Sequence, residues 1–214
     1  VSQVVLNDPG VNLINTYAGN GGAGYSGDGG LASIAGLNGP RGTAFDSSGN
    51  MYIADVGNNR VRKVVLATGV ISTVAGNGSG GGNISTGVAT TSNVSPLGVA
   101  TDAAGNLYIA EATNNRILKM TPGGAISVFA GSAAGVSGTS GDGGLAINAL
   151  LWGPTGMAMD KVNGVLYFCE NGSSNRIRQI VLSNGVISTV AGVAAVGAYS
   201  GDGGPATNAR LNAP

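Results

Sequence analysis

The sequence has no histidine, one cysteine, one tryptophan and few charges: 9% of its 214 residues, ten basic against ten acidic. Each shortage excludes something. Without histidine the commonest general base and the commonest zinc ligand are missing. The charges cancel and no basic run occurs, so nothing attracts a phosphate backbone or an anionic membrane surface, and nucleic acid is not an expected partner. No apolar stretch reaches transmembrane length, so membrane insertion is not expected either. One cysteine, Cys169, makes no internal disulfide and leaves the redox compartment open. Set within an apolar run, it reads as a small core residue. Hydrophobic content of 43% argues against a disordered chain, despite 40 glycines.

What is present is a repeat. Pro40, Pro96, Pro154 and Pro214 mark successive starts at spacings of 56, 58 and 60. Asp46, Asp102 and Asp160 recur in one phase, Asp55, Glu111 and Glu170 in another, and Asn59-Arg60, Asn115-Arg116 and Asn175-Arg176 in a third. Such a period means stacked units that bury faces against one another. Within a unit, GTAFD, GVATD and GMAMD read as first strands, and MYIAD, LYIAE and LYFCE as second strands. The turns SSGN, AAGN and KVNG supply the positive φ a tight hairpin needs. Second strands are apolar almost throughout, which predicts cover on both faces. Third strands such as RVRKVVL carry more charge, which predicts a place nearer the surface. Fourth strands are VISTVAG-like. Four short antiparallel strands per unit describe an all-β propeller blade.

The complete blades are expected at 40–76, 96–131 and 154–192, with residues 1–19 as the two outer strands of a partial blade. Gly-rich connections lie between them. The motif SGDGG begins at Ser26, Ser140 and Ser200, followed by a short helical pattern for which Asp28, Asp142 and Asp202 are the expected N-caps. The connection from Asn77 to Ser95 lacks SGDGG and is rich in Gly, Ser and Thr.

Gly42, Asp46, Gly49-Asn50, Tyr52, Ala54-Asp55 and Asn59-Arg60, with their counterparts in the other two units, resemble the NHL-repeat family of β-propellers. The histidine in that family's name is absent, and the units are longer than its usual repeat. The SGDGG-bearing form resembles repeats of bacterial secreted and cell-surface proteins. The resemblance implies a radial order with the first strand innermost, so the Gly-rich connections and the NNR turns share one end. It also points to an extracellular or cell-surface location.

The candidate sites carry two readings each. Strand-end carboxylates form either a channel ring for a metal, as in a propeller hydrolase or lyase, or turn braces pairing Asp55 with Arg60, Glu111 with Arg116 and Glu170 with Arg176. Because these residues keep the repeat symmetry, the brace is the expectation, and Arg116→Ala is then worth about 1 kcal/mol, as a partly exposed pair is. Asp46, Asp102 and Asp160 open Asx turns. Inner strands offer Ala44, Ala100 and Ala158, with no acid–base chemistry. Trp152, Tyr25 and Tyr199 are candidates for a partner face. The sequons at Asn77, Asn83, Asn93 and Asn171 are candidate glycan acceptors, three of them in the aberrant connection.

The reading is a non-enzymatic propeller scaffold or binding module, with protein, glycan or copies of itself as partner and no cofactor. The chain starts on a third strand and ends where a first should begin, so the natural chain is expected to continue past Pro214.

Overall fold

In the computed structural model, residues 14–82, 87–194 and 197–214 are described. They form three antiparallel sheets. The first is β1 (Pro40–Phe45), β2 (Asn50–Asp55), β3 (Arg60–Val65) and β4 (Val70–Ala75), hydrogen-bonded in that order. The middle sheet holds a two-strand-residue edge, β5 (Gly87–Val88), and then β6 (Gly98–Thr101), β7 (Leu107–Glu111), β8 (Arg116–Met120) and β9 (Ala125–Gly131), with β5 paired to β9. The third is β10 (Pro154–Asp160), β11 (Val165–Glu170), β12 (Arg176–Val181) and β13 (Ile187–Ala191). The hairpin opening each sheet is built by its aspartate. Asp46 Oδ1 accepts the backbone N–H groups of Ser48 and Asn50, both at 2.9 Å, while Oδ2 takes the Asn50 amide at 2.7 Å and the Tyr52 hydroxyl at 3.1 Å. Burial works to raise the Asp46 carboxyl, but these donors outweigh it and hold it below the ordinary range. Burial and the Asp46 charge in turn push the Tyr52 phenol up to about 12. Asp102 and Asp160 repeat the turn, with Asn106 and Asn163 as donors.

First strands sit side by side on the inner side: Gly42 N–H donates to the Leu97 carbonyl at 3.4 Å, and the Thr101 hydroxyl to the Phe45 carbonyl at 2.6 Å. One core lies between the first and middle sheets, around Tyr52, Val61, Leu107 and Leu118. A second joins the middle sheet to the third through Tyr108, Ile117, Phe168 and Ile180. The far face of the first sheet is sealed by Ala32, Ala35 and Leu37 of the preceding connection against Ile53, Val64 and Ile71. Hence β2 and β7 are buried on both faces, as their continuous apolar runs predict. Among the described residues the third sheet is covered on one face only, and β11 alternates buried and half-buried residues. Cys169 lies on the half-buried side instead of in the core, and desolvation raises its thiol.

Each connection doubles back over the outer edge of the blade it leads into. Gly29 and Gly30 exchange backbone hydrogen bonds with Ile71 at 2.8 and 2.9 Å, and Gly143 and Gly144 do so with Ile187 at 2.8 and 3.0 Å. In the middle unit β5 does the same to β9. Outer strands, which would otherwise present free N–H and C=O groups, are thereby covered. The short helices in these connections are single 3₁₀ turns, among them Ala32–Ile34, Ala89–Thr91, Ala146–Asn148 and Ala206–Asn208. Their N-cap positions are Leu31, Val88, Leu145 and Pro205, so Asp28, Asp142 and Asp202 do not cap them. The surface position expected for the third strands is also wrong: Arg62, Arg116 and Arg178 are at most 1% exposed. Of the partial blade expected at 1–19, residues 1–13 lie outside the described residues, and 14–19 hold no strand.

The inner strands approach closely enough that a methyl group on Gly98 would overlap the Thr155 carbonyl of β10. Backbone on both sides cannot yield without moving a sheet. Gly98→Ala is therefore expected to cost about 1–3 kcal/mol by denaturant unfolding. Gly24→Ala, with open space around it and an ordinary φ, should stay within about 0.5 kcal/mol. Equal effects of the two would contradict this packing.

Candidate functional site

The turns between second and third strands and the Gly-rich connections meet at one end of the sheets. Each turn is closed by an asparagine in the left-handed region: Asn59, Asn115 and Asn175, with φ of 50, 49 and 47°. Asparagine is among the few non-glycine residues that take this conformation readily. Its amide then ties the turn to a connection. Asn59 donates to the Gly78 carbonyl at 3.3 Å, and Asn115 donates to Gly135 at 3.0 Å while accepting from Gly153 N–H at 2.9 Å. Asn175 accepts from Ala213 N–H at 2.9 Å.

Beneath this face lie Asp55, Glu111 and Glu170, all fully buried and engaged by the chain itself. Glu111 receives Arg116 Nε at 2.6 Å and Ser95 N–H at 2.6 Å. Glu170 receives Arg176 at 3.0 Å, Arg178 at 3.3 Å, the Ser174 hydroxyl and Trp152 N–H. Asp55 breaks the expected scheme. Its cation is Arg62, at 3.4 Å, with Asn38 N–H and the Asn58 amide as further donors. Arg60 turns away to the carbonyls of Asn58 and Asn77 and stacks 3.8 Å over the Tyr25 ring. The 1 kcal/mol expected for Arg116 also fails, because both members of its pair are buried. Removing one partner of such a pair strands a charge at a cost of about 3–5 kcal/mol.

Arg62 and Arg178 went unnoticed in the sequence, yet each joins three parts of its unit. Arg62 donates to the Ser26 carbonyl at 3.0 Å and Asp28 at 2.7 Å in SGDGG, to Gly36 at 3.3 Å in the connection, and to Asp55 in the turn. Arg178 repeats this on Ser140, Asp142, Leu150 and Glu170. So the aspartate of SGDGG is an arginine acceptor. Burial works to raise the Asp142 carboxyl, but hydrogen bonds from Thr189 and Arg178 and the charges of Arg178 and Arg176 hold it below its ordinary value. The signal was in the repeats: the unit whose connection lacks SGDGG has Leu118 where the others have arginine.

The aromatic candidates divide. Tyr25 anchors its own loop, its hydroxyl bonded to Asp28 at 2.9 Å and near Thr73 at 3.2 Å. Tyr199 is 82% exposed and reaches only Asp202 among the described residues. Trp152 is half-buried against Gly172, beside a recess of about 420 Å³ lined by Arg41, Leu97, Thr155, Met157 and Asn171. Two cations thus reach the inner side that the alanines were expected to leave neutral. Arg41 lies at this recess, and Lys161, at the opposite end, donates to the Phe45 carbonyl at 2.7 Å. Among the sequons, Asn83 lies outside the described residues. Asn171 is exposed, and the Asn77 side-chain nitrogen is held by the Thr91 carbonyl and Asn93 at 3.1 and 2.7 Å. Among the described residues no three His, Cys, Asp or Glu side chains gather to hold a metal.

A family model for the NHL repeat matches residues 37–64, which span β1 to β3 and the turn between Asp55 and Arg60. The chain carries an NHL repeat there. Teneurin-3 of Danio rerio is 34% identical over 214 residues and teneurin-4 of Homo sapiens 33% over 215, each alignment covering 88% of this chain. The chain spans only 8% and 7% of those proteins' lengths. Among solved structures, a Bacteroides thetaiotaomicron protein of unknown function superposes with a TM-score of 0.63 at 24% identity, over 82% of this chain and 40% of its own. A chain of the nidogen/laminin complex gives 0.51 at 19% identity, over 71% and 48%. These likenesses show the propeller fold.

The two clasping arginines are not equivalent. Without Arg178, Glu170 keeps Arg176, whereas without Arg62, Asp55 keeps no cation among the described residues. Arg62→Leu should therefore destabilise by about 3–5 kcal/mol, and Arg178→Leu by less, in urea unfolding. The reverse order would show that the carboxylates are not what the arginines serve.

Proposed function

We propose that this NHL propeller segment is a non-enzymatic binding module of an extracellular or cell-surface protein, presenting its loop end to a protein partner. The observation that supports it most is the buried guanidinium network under that end. It holds the Gly-rich connections in fixed positions, and a surface ordered in advance loses less entropy on binding. Trp152 and the recess beside Arg41 supply an aromatic and a cation of the kind that anchor protein interfaces. One structural neighbour is a chain of a nidogen/laminin complex, which accords with a protein ligand. The Ser- and Thr-rich connection and its sequons accord with an exported chain, and glycan remains a second ligand class for the same face. Copies of this chain are a weaker partner, because connections already cover the outer strands of all three sheets. The metal hydrolase or lyase reading loses its residues, since Asp55, Glu111 and Glu170 are buried against arginine instead of facing the channel.

A photo-crosslinking residue at Val136, exposed on the connection beside Gly135, should capture a protein partner on intact cells or in the surrounding matrix. The same residue at Val162, exposed on the turn at the opposite end, should not. Equal capture from both positions would refute the loop-end assignment. Turnover dependent on a stoichiometric divalent metal would refute the non-enzymatic reading.

A further inference from the structure

Six Asn-Gly pairs occur in the chain, beginning at Asn20, Asn38, Asn77, Asn163, Asn171 and Asn184. Glycine after asparagine leaves the following amide nitrogen unshielded, so that nitrogen can attack the side-chain amide carbon. Whether it does depends on where the side chain points. Asn20, Asn77 and Asn184 each turn their Oδ1 past the next residue to accept from the second one on, Gly22, Ser79 and Val186, at 2.9, 2.8 and 3.0 Å. The Asn163 amide is held by Asp160 at 2.7 Å, and Asn38 is wedged against Gly57. Asn171 differs from all five. Its side-chain carbonyl lies against the N–H of its own next residue, Gly172, and both residues are exposed.

We infer that Asn171 is a site of spontaneous deamidation, and that the modification alters the face carrying Trp152. The Gly172 amide nitrogen loses its proton and attacks Asn171 Cγ. The Cγ–Nδ2 bond breaks and ammonia leaves, closing a five-membered succinimide. Water then opens either carbonyl, giving aspartate or isoaspartate with no change of oxidation state. Either product adds one negative charge to a chain of zero net charge, at the recess that Arg41 lines. Isoaspartate also lengthens the backbone by one carbon at a place with no slack. Gly172 packs so closely on the Trp152 indole that a methyl group there would lie 2.7 Å from Nε1. The preceding residue, Glu170, is fixed by Arg176 and Arg178. Asn171 is also a sequon asparagine, and a glycan on Nδ2 would replace the leaving group, so the two modifications exclude each other.

The test is to age the folded chain at mildly alkaline pH beside its own unfolded tryptic peptides, with peptide mapping and enzymatic isoaspartate labelling. The peptide 162–176 should gain about 1 Da, placed by fragmentation at Asn171 and not at Asn163. It should do so about tenfold faster than those containing Asn77 or Asn184, as a modest barrier difference gives. Emission from the chain's single tryptophan should shift in step with that conversion and stay constant in Asn171→Gln. The inference is overturned if Asn77 or Asn184 converts as fast as Asn171. It is equally overturned if Asn171 stays intact in the folded chain while the unfolded peptide converts fully.

Discussion

A guanidinium has five donors and no means of losing its charge in a protein, so burying one obliges the chain to surround it with acceptors. Arg62 and Arg178 are placed on the face of their strands that also carries Val64 and Ile180, inside the sheet packing. Acceptors must then come from elsewhere, and they come from the SGDGG loop, the rest of the connection and the strand-end carboxylate. The cost of desolvating the arginine is offset only when all three are in place, which makes the loop, the strand and the turn one unit.

The middle unit shows the alternative. Leu118 replaces the arginine and pairs across the ladder with Val128, where Arg62 and Arg178 face Thr73 and Thr189. Its connection has no SGDGG and no aspartate. The hydroxyl of Thr189 belongs to the polar set too, bonded to Asp142 at 2.6 Å. So three features change together, and the position carries either a polar network, in which Arg62 Nε alone lacks an acceptor among the described residues, or hydrocarbon. A half-completed network is the costly state, which is the physical reason for the correlation. Where the clasp exists it also fixes the Gly-rich backbone against the outer strand, closing an edge that would otherwise invite pairing.

Much of the fold was legible because its determinants are local. Strand order, hairpin turns and the paired ends of the units follow from residues within a few positions of one another, as in Asp46 with Asn50. The turn asparagines are legible as a motif but not as left-handed residues, because an Asn-Asn-Arg run does not by itself fix which asparagine takes a positive φ. What failed was non-local. Asp28 was read as a helix cap since its visible neighbours are glycines and alanines, while its partner lies 34 residues on. Third strands were assigned to the surface on charge alone, although Arg62 alternates in phase with apolar Val64. The arginine and SGDGG show as partners only between units, where both are present or both absent.

Backbone hydrogen exchange in Arg178→Leu tests the claim that one side chain holds a connection in place. Amides of Gly143 and Ile187, which close the loop onto β13, should lose protection, while β10 to β12 and the middle connection keep theirs. Unchanged protection at Gly143 and Ile187 would contradict the account, as would loss of protection across the whole third sheet.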